Sequence, residues 1–311
     1  MEKRIDVKKP EISVIMLTYN REQFVEKMIN CILSQSYTNF EFIIIDNGST
    51  DSSGIISDQY AKTDNRIIVN HIPKSNIGTG RNRGLDLSKG KYITFVDDDD
   101  SCKEDYLSFL YDLLTENNAD ISICGATWSD KDEKYIMNSE EAMEKLLWRK
   151  NYNVAFPTKM FRREIFDNIR FAEEGKYDDI YLMPKVIANA NRIVYHGISK
   201  YHFERHNNNN SAWTQNHSLI NYETLKEYLE VYNDRTKWLC KIYPNSSNKW
   251  RYFNYSFMIS MVEKIIRLNL TDCYELRDRM ISILSENYVE FINCPFVLEF
   301  EKEWMKLYIK I

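Results

Sequence analysis

Tyr92-Ile93-Thr94-Phe95-Val96-Asp97-Asp98-Asp99-Asp100 is a short apolar run that ends abruptly in four carboxylates. A run of this length, rich in β-branched and aromatic residues, predicts a buried strand. Four carboxylates at its end cannot all stay ionised and close together unless something positive lies between them. A divalent cation, with the phosphates it carries, would supply that charge. The competing reading is a solvated acidic turn, because runs of like charge usually face water. The surrounding chain decides between the two.

Working outward, strand-like and helix-like segments alternate. Ile12 to Leu17, Phe42 to Ile45 and Arg66 to His71 predict strands before the run, and Asp120 to Gly125 one after it. Between them lies a helix capped by Asn20, with Phe24, Val25, Met28, Ile29, Ile32 and Leu33 at helical spacing. A second helix starts at Asp51 or Ser52 and reaches Ala61. Gly80 to Ser88 and Asp105 to Glu116 predict two more. This alternation implies an α/β fold, a mostly parallel sheet flanked by helices on both faces. Ligands in such sheets bind at the carboxyl ends of the strands, where the strand order reverses. Further on, Ser139 to Trp148 predicts a helix, and Tyr177 to Ala190 another interrupted at Pro184. Arg192 to His196 and Lys200 to Phe203 predict short strands, and 207–210 a polar loop. From 218 the pattern is helical, with one stripe of Leu219, Tyr222, Leu225, Leu229 and Tyr232 and another of Phe253, Phe257, Met261, Ile265 and Leu268. The expected domains are therefore 1–217, with halves of about 11–126 and 127–217, and a helical extension over 218–311.

With 41 basic and 46 acidic residues, a net charge of −5 and a pI near 5.7, the chain of 311 residues does not look like a nucleic-acid binder. Its six cysteines are scattered with no C-x-x-C pair, which predicts reduced thiols rather than a disulfide frame or zinc site. No apolar run is long enough to span a bilayer. The basic N-terminal residues have no apolar core behind them, so no secretory signal is expected. A cytoplasmic location follows, with peripheral contact at the inner face of the membrane as an option.

Polar groups gather at the predicted strand ends: Thr18-Tyr19-Asn20 after the first, Asp46-Asn47-Gly48-Ser49-Thr50-Asp51 after the second, Asn76 to Gly84 after the third, and the aspartates after the fourth. A tyrosine stacks on a base, a carboxylate accepts from a base N–H or ribose hydroxyl, and arginines at a helix start suit phosphates. Together they describe a nucleoside-diphosphate site. The glycines do not follow the first strand in G-x-G-x-x-G spacing, and no G-x-x-x-x-G-K-[ST] loop occurs, which argues against a dehydrogenase or a P-loop NTPase.

Pro10 to Asn20, Ile43 to Asp51, Asn76 to Gly84 and Gly90 to Asp100, in that order, resemble the motifs of glycosyltransferase family 2, over about residues 11 to 205. The resemblance implies a GT-A (Rossmann-like) fold and an inverting transfer from a UDP-sugar to a saccharide or glycoconjugate acceptor, assisted by Mn2+ or Mg2+. Position by position it implies that Thr18, Tyr19 and Asn20 line the base pocket and that Asp46 contacts uracil. Asn47 stands where a second aspartate is usual. Asn76, Gly78 and Arg81 lie near base and phosphates. Asp97 and Asp99 match the D-x-D motif, Asp97 toward the ribose and Asp99 toward the metal, with Asp98 where a small residue is usual and Asp100 as support. Asp179 is the implied base and Asp178 its neighbour, the alternative being that both only cap a helix. His206 is the implied further metal ligand, with His202 second. Lys159 of Phe156-Pro157-Thr158-Lys159 either approaches the acceptor or packs.

Two other functions are weighed. A nucleotidyltransferase would need an early loop rich in glycine and basic residues, which the chain lacks. A non-catalytic protein that binds nucleotide sugars or assembles through the same fold is left for a transfer assay to decide. At the C-terminus, Phe300, Trp304, Leu307, Tyr308 and Ile311 form a stripe opposite Lys302, Lys306 and Lys310. Packing against the catalytic domain or a second subunit is preferred to an anionic membrane surface, because Glu299, Glu301 and Glu303 dilute the positive face.

Overall fold

The structure is a computed structural model that describes residues 9–127, 130–175, 177–204 and 216–309. The described residues form two compact units, one ending at Glu204 and one built of the helices from His217 onward.

The first unit is built on nine strands: β1 (Ile12–Thr18), β2 (Phe40–Asp46), β3 (Ile67–His71), β4 (Tyr92–Asp97), β5 (Ser101–Cys102), β6 (Ile121–Ala126), β7 (Lys134–Met137), β8 (Lys159–Arg162) and β9 (Ile193–His202). Their order is β3-β2-β1-β4-β8-β6-β9-β5, with β7 on β9. β3, β2, β1 and β4 run parallel, while β8 is antiparallel to β4 and to β6. The helices are α1 (Val25–Leu33), α2 (Ser53–Thr63), α3 (Ile77–Leu87), α4 (Tyr106–Glu116), α5 (Ser139–Trp148) and α6 (Asp178–Ala188). The chain steps outward from β1 to β3 and then returns to β4 on the other side of β1. The β1/β4 crevice is thus the point where the strand order reverses, and ligands are expected there.

The central strands read as unbroken apolar runs because both faces are covered. Ile12, Val14 and Met16 of β1, with Phe42 and Ile44 of β2, share a core with Val25, Met28, Ile29 and Ile32 of α1 and with Tyr106, Leu110 and Leu114 of α4. On the other face α3 lies so close that a Cβ at Gly80 would stand 2.3 Å from Leu17, and one at Gly84 2.4 Å from Ile15. Glycine, normally unfavourable inside a helix, is here the residue that lets the helix reach the sheet.

Several local expectations change. Asn20 does not cap α1, which starts five residues later. It takes a left-handed conformation (φ 52°), and its Oδ1 accepts from Thr50 N–H at 2.8 Å, joining the loops after β1 and β2. α3 begins at Ile77, capped by Asn76, rather than at Gly80. Pro184 lies inside α6 without ending it, and the two short strands expected after 192 are one, β9.

The second unit contains α7 (Tyr222–Ile242), α8 (Ser247–Arg267), α9 (Tyr274–Glu286), α10 (Tyr288–Ile292) and α11 (Glu299–Tyr308), with α8 packed against α7, α9 and α11. α11 turns Glu301 and Met305 inward. The Glu301 carboxylate accepts from Tyr252 Oη and Leu298 N–H. Of the expected apolar stripe, Phe300 and Leu307 are exposed and Trp304 and Tyr308 half-buried. No helix among the described residues is long and apolar enough to cross a membrane.

Candidate active site

The parallel strands deliver their last residues to one rim. Register pairs Thr18 with Asp46 across β1 and β2, and Leu17 with Asp97 across β1 and β4. Each carboxyl of the aspartate run is met differently. Asp97, 41% exposed at the side chain, accepts from Arg81 Nη2 at 3.5 Å. Partial burial, with the neighbouring charges of Asp99 and Asp178, holds its carboxyl above the ordinary range, against the pull of Arg81. Asp98 turns inward to Arg21 Nε at 3.7 Å, and burial pushes it up to about 7. The Thr18 hydroxyl lies close enough to favour the charged form of Asp98, yet outside the geometry of a formed hydrogen bond. Thr18 Oγ1 is thus a buried polar atom without a partner among the described residues. Asp100 accepts from Tyr201 Oη and from Glu204 N–H, each at 2.8 Å, and burial raises it to about 8. Tyr201 Oη also accepts from Asp97 N–H at 3.1 Å, so one phenol ties both ends of the run. Asp99 is partly exposed at the rim.

Arg81 joins this run to α6. Its Nη1 donates to Asp178 Oδ2 at 2.8 Å, and its guanidinium lies over the rings of Phe156 and Phe171. Burial alone would lower its proton affinity; Asp178, Asp97 and Asp179 more than reverse that, so it stays charged. Asp178 therefore does not cap its helix. Asp179, beside it, accepts from Ile180 N–H at 2.8 Å. Burial first, then the charge of Asp178, lift its carboxyl to about 6. Beneath lies Lys159, fully buried in β8, its Nζ donating to Ala155 O at 2.5 Å. Burial lowers it to about 7, with the charge of Asp179 acting in the opposite direction. The residue before it, Thr158, holds φ 78°, a strained conformation for a β-branched residue.

On the β2 side, Asp46 Oδ1 accepts from Ser49 N–H at 3.0 Å and its Oδ2 contacts His71 Nδ1 at 2.8 Å; His71 Nε2 lies 3.2 Å from Asp58. Asp46 is the main reason His71 is raised above its ordinary value. Asn47 is buried and clamps Ser75, donating to its carbonyl and accepting from its N–H and hydroxyl. An aspartate could not make the first of these bonds, so the departure from the usual residue has a local cause. Tyr19 is exposed, and Lys74 Nζ sits 3.0 Å above its ring. Asn76 Oδ1 accepts from Gly78 N–H at 2.7 Å and its amide donates to Gly175 O. Gly78 abuts Ala172, where a Cβ would have no room.

Thr18, Asp46, Arg81, Asp97, Asp98 and Asp178 are thus brought together by side-chain contacts or by strand register. His206 lies outside the described residues. His202 is half-exposed, its Nδ1 3.0 Å from Thr127 Oγ1. Sequence reasoning missed Arg21, His71, Lys74 and Tyr201. Arg21 and His71 had a usable signal, since one follows directly on Thr18-Tyr19-Asn20 and the other ends the third strand. The run offers hard oxygen donors of the kind that Mg2+ and Mn2+ prefer. Among the described residues no cluster of three or more His, Cys, Asp or Glu stands ready to enclose a metal ion. Such a set fits a cation held by one or two carboxylates and completed by phosphate oxygens and water.

A nine-stranded, mostly parallel sheet with this rim and a C-terminal group of helices is a GT-A architecture. The solved structure of TarS residues 1–349 from S. aureus matches 92% of the chain and 81% of its own at a TM-score of 0.65, with 20% identity, and a second structure of TarS is in complex with UDP-GlcNAc. The profile of Glycosyl transferase family 2 matches residues 13–171. The glycosyltransferase GlyG of Streptococcus pneumoniae is 31% identical over 214 residues, 62% of this chain and 70% of GlyG. The putative teichuronic acid biosynthesis glycosyltransferase TuaG of Bacillus subtilis is 27% identical over 271 residues, 86% of this chain and 94% of TuaG. Other curated relatives are longer, and the matched stretch spans a third to just over half of them. The chain belongs to glycosyl transferase family 2, and it is a glycosyltransferase.

Proposed function

We propose that the chain moves a sugar, with inversion, from a UDP-sugar to a hydroxyl of a saccharide or glycoconjugate acceptor, with Asp179 as general base. The observation that carries this reading is the Asp178–Arg81–Asp97 bridge, which brings the start of α6 to the aspartate run. In this reading the base stacks on Tyr19 once Lys74 swings aside. Asp46, oriented by Ser49 and His71, accepts from uracil N3–H, and the orphaned Thr18 hydroxyl gains a partner. A carboxyl near 6 is ionised at neutral pH yet basic enough to take the acceptor proton as its oxygen attacks the anomeric carbon. Arg81 has five N–H donors; those not used on Asp178 and Asp97 stabilise the departing diphosphate. Asp97 and Asp99 would hold a divalent cation, which supplies charge neutralisation at that diphosphate when bound. The UDP-GlcNAc complex of TarS supports the choice of nucleotide, and the likeness to TuaG, a putative teichuronic acid biosynthesis glycosyltransferase, supports a saccharide acceptor.

The test is a thermal-shift screen of nucleotide sugars with and without Mn2+, followed by transfer assays with the donor it identifies. Asp179→Asn is expected to keep donor binding and lose transfer. Undiminished turnover in that variant would remove Asp179 from the role of base, and indifference to every uridine nucleotide would remove the donor.

A further inference from the structure

Behind the aspartate run, Cys31 of α1 and Cys102 of β5 face each other with their sulfurs 3.3 Å apart. Both are free thiols and partly exposed. Their surroundings make them unequal. The backbone N–H of Cys102 donates to Cys31 Sγ at 3.1 Å, while Gln35 Nε2 stands 3.5 Å from Cys102 Sγ. The Cys102 thiol, followed by that N–H and the charge of Lys27, outweighs burial and holds Cys31 down to about 6; Cys102 is pushed far up. Cys31 Sγ also donates to the Cys102 carbonyl at 2.9 Å, and once that proton is lost Cys31 is a nucleophile directly beside a resolving cysteine.

We propose that Cys31 and Cys102 form a peroxide-responsive dithiol whose oxidation closes a disulfide between α1 and the segment directly behind the aspartate run. The Cys31 thiolate attacks one oxygen of hydrogen peroxide, the O–O bond breaks, and sulfenic acid and hydroxide form. Cys102 sulfur then attacks the sulfenic sulfur; the S–O bond breaks, and the Cys102 proton leaves with the hydroxyl as water. Two thiols and one peroxide become one disulfide and two waters.

Closure requires the sulfurs to approach from 3.3 Å to about 2.05 Å, a movement that the neighbouring chain must absorb. Cys102 is two residues from Asp100, whose carboxyl is pinned to Tyr201 and Glu204, and Tyr201 also holds Asp97 N–H. Cys102 pairs in register with Tyr201 itself. Closure therefore pulls on the phenol that ties the run together. The expected consequence for donor binding rests on the UDP-sugar reading above; the thiol chemistry does not.

The experiment treats the full chain, reduced and desalted, with a small excess of hydrogen peroxide at neutral pH. It counts thiols and maps peptides without reduction. The expected result is the loss of two thiols and a linked Cys31–Cys102 peptide, reversed by dithiothreitol. Cys31→Ser is expected to give no linked peptide, and Cys102→Ser to stop at a dimedone-reactive Cys31. Intact thiols, a different pairing, or sulfinic acid at Cys31 without the link would overturn the proposal. UDP titration with Mn2+ then compares the two forms, with at least fivefold weaker binding expected after oxidation in the parent and no change in Cys31→Ser. Equal affinity in both forms would overturn the coupling to the rim. Failure of the reduced protein to bind UDP would instead count against the donor, while the linked peptide still decides the dithiol.

Discussion

Asp98→Asn is expected to stabilise the ligand-free protein at alkaline pH. The Asp98 side chain is 10% exposed, its cationic neighbour Arg21 Nε is 3.7 Å away, and burial lifts its carboxyl from 3.8 to about 7. The folded state thus binds this proton more tightly than the unfolded chain. Between pH 3.8 and about 7 the folded state carries the extra proton, so stability falls as pH rises through that window. At 1.36 kcal/mol per tenfold change in proton affinity, the full penalty above pH 7 is about 4 kcal/mol, and relaxation of the site makes half of that a fair expectation. Asparagine has the shape of the protonated acid and no charge to bury, and Arg21, 22% exposed, remains within reach of water. At roughly 2–4 °C per kcal/mol for a chain above 150 residues, Asp98→Asn should raise Tm at pH 8 by about 4–8 °C, with the gain shrinking toward zero near pH 4. The assay is thermal unfolding in EDTA from pH 4 to pH 9, parent against variant. A variant less stable than the parent at pH 8, or a gain independent of pH, would show that Asp98 is held as a well-paired carboxylate and would refute the reasoning.

Three further outcomes are expected. If Asp179 is the base, kcat should rise with pH through about 6 and level off above it, and stopped assays between pH 4.5 and pH 8 will show whether the limb is there. Arg81→Met leaves Asp178 and Asp97 without their shared cation and should destabilise by about 3–5 kcal/mol at pH 8 and less at pH 5, read by urea unfolding. Asn47→Asp forfeits the bond donated to Ser75 O and brings a charge into a buried position, a loss of about 1–3 kcal/mol, measurable as a lower urea midpoint.

What was legible in the sequence was whatever a strand or helix encodes locally. β1, β2 and β4 are covered on both faces, so their apolar runs are continuous, and their polar ends mark the rim. The start of α3 is placed three residues late because Gly78 looks like a loop residue. Glycine stands there inside the helix because Ala172 leaves no space for a side chain. β8 was missed because four residues containing a buried lysine and an arginine carry no strand pattern. The site itself is joined by contacts that no local pattern contains. Arg81 and Asp178 are 97 residues apart, and Asp97 and Tyr201 are 104 apart. This is why the four aspartates read as one acidic cluster in need of one cation, whereas the fold treats them separately. Asp97 is given Arg81, Asp98 is turned inward to Arg21, and Asp100 is bound to Tyr201 and to the N–H of Glu204. Only part of the run then needs a cation and a diphosphate to settle its charge. Affinity for the metal should therefore depend on the nucleotide far more than on the number of aspartates.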